Sequence, residues 1–119
     1  MISVIHFRPT VDDVTFIEQA TVAMTALAAR PGYRSGSFGR STDDENAWVL
    51  VTHWDSVGAY RRGLGGYEVK MSTPFFAQAL DQPSGFEELL ADSATGIAEV
   101  GRSDLAPDFR RDFSAEGDF

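Results

Sequence analysis

The chain has 119 residues with Lys+Arg 10 against Asp+Glu 18, two histidines, no cysteine and a formal net charge of −8, which is one domain's worth of a small acidic protein. A hydrophobic fraction of 43% with nine Phe, three Tyr and two Trp supplies a real core and excludes a wholly disordered chain. No run reaches the roughly 18 apolar residues of a membrane span, the N-terminus lacks the basic start of a secretory signal, zero Cys excludes disulfides and a thiol nucleophile, and the charge argues against nucleic acid. The expectation is a soluble cytoplasmic protein.

Residues Ile2 to Phe7, closed by Pro9, read as a first strand with Ile2, Val4 and His6 on one face and Ser3, Ile5 and Phe7 on the other. Thr10 with Asp13 three residues on predicts a capped helix start. Val14, Ile17, Thr21, Met24 and Ala28 then step by three and four, with Ala20 and Leu27 beside them, which predicts one apolar stripe down a helix ended by Arg30-Pro31-Gly32. From Tyr33 the period is two, with Tyr33, Ser35, Ser37 and Gly39 opposed to Arg34, Gly36, Phe38 and Arg40. A polar turn at residues 42–46 leads into the strongest strand, Ala47 to Trp54, with Trp48, Leu50, Thr52 and Trp54 on one face and Val49, Val51 and His53 on the other.

Asp55 or Ser56 caps a short helix through Val57, Tyr60, Arg61 and Leu64 that Gly65-Gly66 breaks. A second helical stretch starts near Tyr67, restarts at Pro74 and stops at Pro83. Gly85 to Ala91 reads as the last strand. The order β-α-β-β-α-β is the split arrangement of ferredoxin-like α+β folds. Residues 1–91 form the expected domain. Residues 92–119, with 3 basic and 7 acidic side chains, read as an acidic tail, either mobile or docking on a partner subunit, with Phe109 and Phe113 on one side of a short helix.

Three signatures in this order resemble the antibiotic biosynthesis monooxygenase family of the dimeric α/β-barrel superfamily: Pro31-Gly32-Tyr33, the run from Val51 to Tyr60 with its strand-end Trp54 and Asp55-Ser56 cap, and Ser72-Thr73-Pro74-Phe75-Phe76. The resemblance covers about residues 1–91. It implies two ferredoxin-like subunits pairing their sheets into a barrel, with a pocket in each between sheet and helices. Elementary packing points the same way, since helices on one side of a four-stranded sheet leave its other face uncovered. Ile5, Val49, Val51 and Leu89 are the expected residues of that uncovered face.

The family's best-known activity is oxidation of aromatic polyketide phenols and anthrones by O₂ to quinones with no metal, flavin or haem, so the resemblance implies no cofactor. It also implies that Trp54 and Tyr60 hold and polarise the substrate, while Leu50 stands where the family carries a pocket asparagine. That departure keeps a second reading open, a non-catalytic dimeric small-molecule binder or pathway accessory protein. Haem-degrading members of the fold carry a His, an Asn and a Trp at positions filled here by Thr73, Phe7 and Gly63, which sets that reading aside. From the residues themselves, His6 and His53 are the groups whose ordinary pKa suits proton transfer near neutrality, and the two do not make a metal set. Tyr67, Met71, Phe75 and Phe76 are expected to roof a broad apolar pocket for a planar aromatic guest.

Overall fold

The computed structural model describes residues 1–100. The chain divides into one unit spanning Met1–Phe86 and a second beginning at Glu87. The first contains β1 (Ile2–Phe7), α1 (Asp13–Ala28), β2 (Tyr33–Arg40), β3 (Trp48–Trp54), α2 (Val57–Leu64), α3 (Tyr67–Lys70), α4 (Thr73–Phe76) and β4 (Gly85–Phe86). The strands form an antiparallel sheet in the order β2-β3-β1-β4, the ferredoxin-like arrangement in which β3 is inserted between the two strands joined through α1.

β3 is central because it can be buried from both edges, and its burial alternates along its length: Trp48, Leu50, Thr52 and Trp54 are buried, Val49, Val51 and His53 half-buried. Its register puts Phe7 beside Trp48, Ile5 beside Leu50 and Ser3 beside Thr52. Those residues share the face that the helices cover. Ile5, expected on the open face, therefore belongs to the helix side, because cross-strand neighbours point the same way. The open face carries Ile2, Val4 and His6 of β1 against His53, Val51 and Val49 of β3, with Phe86 beside Ile2. In β2 the pairing shifts between Tyr33 and Ser35. That irregularity turns Tyr33 onto the helix face, where its ring meets Trp54 edge-on at 5.2 Å and 89°, rather than keeping it in line with Ser35 and Ser37.

α1 is capped by Asp12, not Thr10. The Asp12 carboxylate accepts from Thr15 N–H at 2.8 Å, while the Thr10 N–H is taken by Gln78 Oε1 at 2.9 Å. The buried stripe also differs from the expected one: it runs Phe16, Ala20, Ala23, Leu27, with Ala26 beside it, whereas Val14 is 68% and Ile17 47% exposed. Phe16 decides the rotation. It lies 5.6 Å from Phe7, 5.5 Å from Trp48 and 5.2 Å from Phe75, so the largest side chain of the helix fills the centre of the core while alanines let the backbone approach the sheet.

Gln78 ties this layer together. Its amide nitrogen donates to Gln19 Oε1 at 2.8 Å and to the Pro74 carbonyl at 2.7 Å, satisfying a side chain that is almost fully buried. Gly32, at φ +86°, makes the turn between α1 and β2; a Cβ there would lie 2.5 Å from the Ala59 Cβ, so the junction requires glycine twice over.

The last strand is not continuous from Gly85 to Ala91. β4 is only two residues long because Phe86 already stands opposite Ile2, where the pairing of β1 ends. In the second unit, β5 (Leu90–Ser93) pairs instead with β6 (Gly96–Glu99), Leu90 opposite Glu99 and Ser93 opposite Gly96. Ser93 Oγ accepts from Thr95 N–H at 3.2 Å, and Gly96 at φ +129° completes this tight hairpin. Leu89 consequently lies outside the four-stranded sheet. Phe109 and Phe113 lie outside the described residues.

Candidate active site

A cavity of about 610 Å³ opens along the outer edge of β1, and the backbone explains why. Val4 N–H donates to the Ser84 carbonyl at 2.7 Å and Leu80 N–H to the His6 carbonyl at 2.8 Å. Between these attachments, Asp81, Gln82 and Pro83 stand opposite the single residue Ile5, so the segment bows away from the sheet. The bow closes on itself through Gln82 N–H to the Leu80 carbonyl at 3.0 Å, and Pro83 has no N–H to return to the ladder.

One wall is β1, through Val4, Ile5 and His6; a second is α2, through Tyr60 and Leu64; a third comes from α3 and α4, through Val69, Lys70, Thr73 and Phe76. The bowed segment closes the fourth side with Leu80, Gln82 and Ser84. The lining is mainly aliphatic and aromatic with a few polar groups, the usual character of a small-molecule site.

Of the expected site residues, Tyr60 on α2 and Phe76 on α4 line this cavity, and His6 borders it along the β1 edge. Ser56 Oγ caps α2 by accepting from Ala59 N–H at 3.0 Å, which sets Tyr60 on the inward side of the first turn. The Tyr60 oxygen accepts from Ser3 Oγ at 3.1 Å and lies 3.4 Å from Ser84 Oγ. With Ser3 supplying one proton to that oxygen, the phenol's own hydrogen is left for Ser84 or for a guest in the cavity. The His6 side chain is exposed and belongs to the open sheet face, opposite Val49, so the expected proton-transfer histidine is not brought to Tyr60.

Trp54 is placed one layer behind. Its Nε1–H donates to Thr52 Oγ1 at 2.8 Å, and its ring packs edge-on against Tyr60 at 5.7 Å and 64°. Leu50 and Phe75 are buried at the centre of the core, Phe75 being 4.5 Å from Phe7. His53 lies on the open sheet face, its Nδ1 3.3 Å from Ser35 Oγ. Tyr67 and Met71 are 72% and 62% exposed and lie outside the cavity wall. Reading the sequence missed Val4, Leu64, Val69, Lys70 and Ser84. The only signal that could have found them is Pro83, which lacks the N–H a strand beside β1 would need.

Among the described residues no helix is long and apolar enough to cross a membrane, and no group of three or more His, Asp or Glu is placed to hold a metal ion. Burial raises the pKa of Tyr33 above the ordinary phenol value, consistent with its position under Trp54.

The fold is shared with several solved proteins. SnoaB from Streptomyces nogalater, described as a cofactor-independent oxygenase, is 21% identical, with 66% of this chain and 82% of that one covered at a TM-score of 0.61. Rv0793 from Mycobacterium tuberculosis is 18% identical over 88% of this chain and 96% of its own, at a TM-score of 0.57. A conserved protein from Methanosarcina mazei is 12% identical over 71% and 84%, at a TM-score of 0.58. No curated protein matches the chain. The family model for antibiotic biosynthesis monooxygenase matches residues 2–66, more than half of the sequence and the part that builds β1 through α2, and the chain belongs to that family.

Proposed function

We propose that the protein is a cofactor-independent monooxygenase that oxidises an aromatic, polyketide-like phenol or anthrone with O₂ to a quinone. The observation that carries this reading is the apolar cavity with Tyr60, whose hydroxyl is held by Ser3, in its wall. Membership of the monooxygenase family and the description of SnoaB as a cofactor-independent oxygenase support it.

In this chemistry the substrate reacts as its anion, its proton passing to solvent, and Tyr60 donates to the oxygen on which negative charge develops. The electron-rich anion passes one electron to O₂, and the radical pair collapses to a peroxide on carbon. Loss of water then leaves the carbonyl: a CH₂ group and one O₂ become C=O and H₂O, with all four electrons coming from the substrate. Aliphatic walls exclude water from the anion. Trp54, its N–H already engaged, acts by fixing the Tyr60 ring. A homodimer completes the assembly in this proposal, a second copy covering the half-buried Ile2, Val4, Val49 and Val51 of the open face.

The test is O₂ consumption by metal-free, flavin-free protein given 1,8-dihydroxyanthrone. One O₂ consumed per quinone formed, well above the autoxidation rate, is expected. Tight binding of the anthrone with no acceleration would overturn the catalytic reading in favour of a non-catalytic binder.

A further inference from the structure

We infer that the cavity takes an aromatic ligand bearing a carboxylate, and that the carboxylate pairs with Lys70. The inference rests on the aromatic-ligand reading above and goes beyond it in naming the ligand's charge. Lys70 is the only lysine in the sequence, and it stands in the cavity wall. The chain is rich in acid, with 18 Asp and Glu, yet among the described residues none of them lines that cavity. A site with one ammonium and no carboxylate, in a protein of net charge −8, is locally of opposite sign to its surroundings.

The position is also unspent. Among the described residues the ion pairs are Arg8–Asp44, Arg34–Asp55 and Arg40–Asp13, so Lys70 enters none of them. It is the last residue of α3, and Thr73 Oγ1 donates to its carbonyl at 2.7 Å, which holds the backbone of the α3–α4 turn while leaving the side chain free to swing. A lysine is a compact point charge on a flexible stem, suited to meeting a carboxylate at the edge of a ring system whose planar body lies on Phe76, Leu64 and Val69.

The experiment measures binding of anthraquinone-2-carboxylate and of its neutral 2-hydroxymethyl analogue to the full chain, to Lys70→Met and to Lys70→Arg. Wild type is expected to prefer the acid by about 5-fold, the scale of one partly exposed ion pair, and to lose much of that preference in high salt. Lys70→Met removes the preference by weakening the acid alone, and Lys70→Arg retains it. If wild type binds acid and alcohol equally, or Lys70→Met keeps the preference, the charge assignment falls while the aromatic cavity stands. If neither probe binds, both fall together.

Discussion

Ser3 Oγ, wholly buried on β1, donates to the phenolic oxygen of Tyr60 on α2 at 3.1 Å. This bond connects the strand that forms one cavity wall to the helix that forms another. It also decides which way the tyrosine's hydrogen can point. Tyr60→Phe is expected to cut quinone formation about 100-fold, the scale of losing one donor to a developing oxyanion. It also leaves the buried Ser3 hydroxyl without its acceptor, costing about 1–3 kcal/mol. Oxygen uptake and urea unfolding measure the two effects separately. Turnover within about 3-fold of wild type would remove Tyr60 from the chemistry, since an oxyanion donor is worth far more.

Gly63 lies against Trp54 in a way that no other residue can. A Cβ at position 63 would sit 2.6 Å from Trp54 Cη2 and 2.7 Å from Cζ3. That ring cannot readily retreat, because its N–H is held by Thr52 and the rings of Tyr33 and Tyr60 pack against it. Gly63→Ala is expected to destabilise by about 1–3 kcal/mol, as overpacking does, and to shift the tryptophan fluorescence. Gly65→Ala is the control: the nearest atom to its Cβ is the Arg62 carbonyl oxygen at 3.4 Å, and a change within about 0.5 kcal/mol is expected.

What could be read from the sequence was what depends on period and on single strong residues. The alternation from Trp48 to Trp54 was plain because the strand is buried on one face and half-buried on the other. Pro31-Gly32 marked its turn because the backbone there needs a positive φ. α1 was misread by rotation: its outward positions include Val14, Ile17 and Val22, while three of its inward ones are alanines. Counting apolar residues therefore favoured the wrong side, and only the site that accepts Phe16 settles the matter. The cavity was hidden for a different reason. Its wall draws on β1, three helices and the bowed segment, and no local pattern records that three residues will stand opposite one.

The correction to α1 makes its own prediction. Phe16 touches four rings, so Phe16→Ala is expected to cost about 3–5 kcal/mol. Val14→Ser, on the exposed side, is expected to stay within about 0.5 kcal/mol. Chemical denaturation of both variants checks the rotation directly, and the reverse ranking would restore the stripe through Val14 and Ile17.

The Asp12 cap is ionised in its working form, and the Thr15 backbone and side-chain hydrogen bonds hold its carboxyl below the ordinary value of 3.8. A depressed folded-state pKa means that the cap's contribution is fully present above 3.8 and is lost as pH falls through the lower, folded value. Asp12→Ala is therefore expected to melt earlier than wild type at neutral pH, with the difference closing on acidification. Asp12→Asn, which keeps the acceptor without the charge, should show no such closing. Melting curves from pH 6 downward follow both variants; a gap between wild type and Asp12→Ala that persists into strong acid would mean that the carboxylate is not what stabilises the start of α1.

The open sheet face leads to a prediction about assembly. Val51 stands between Val4 of β1 and Ser37 of β2, half-buried, on the side away from Phe16 and the helices. In an isolated subunit a lysine there would reach water and cost little. Within a dimer that packs the two sheets together it would be buried without a partner, which is strongly unfavourable. Wild type is expected to sediment as a dimer and Val51→Lys as a monomer at micromolar concentration. Val22→Lys, on the outer side of α1 where the side chain is 64% exposed, should remain dimeric and so separates a disrupted interface from a general effect of added charge. If Val51→Lys stays dimeric, the subunits pair through some other surface, and the open face must be covered in another way.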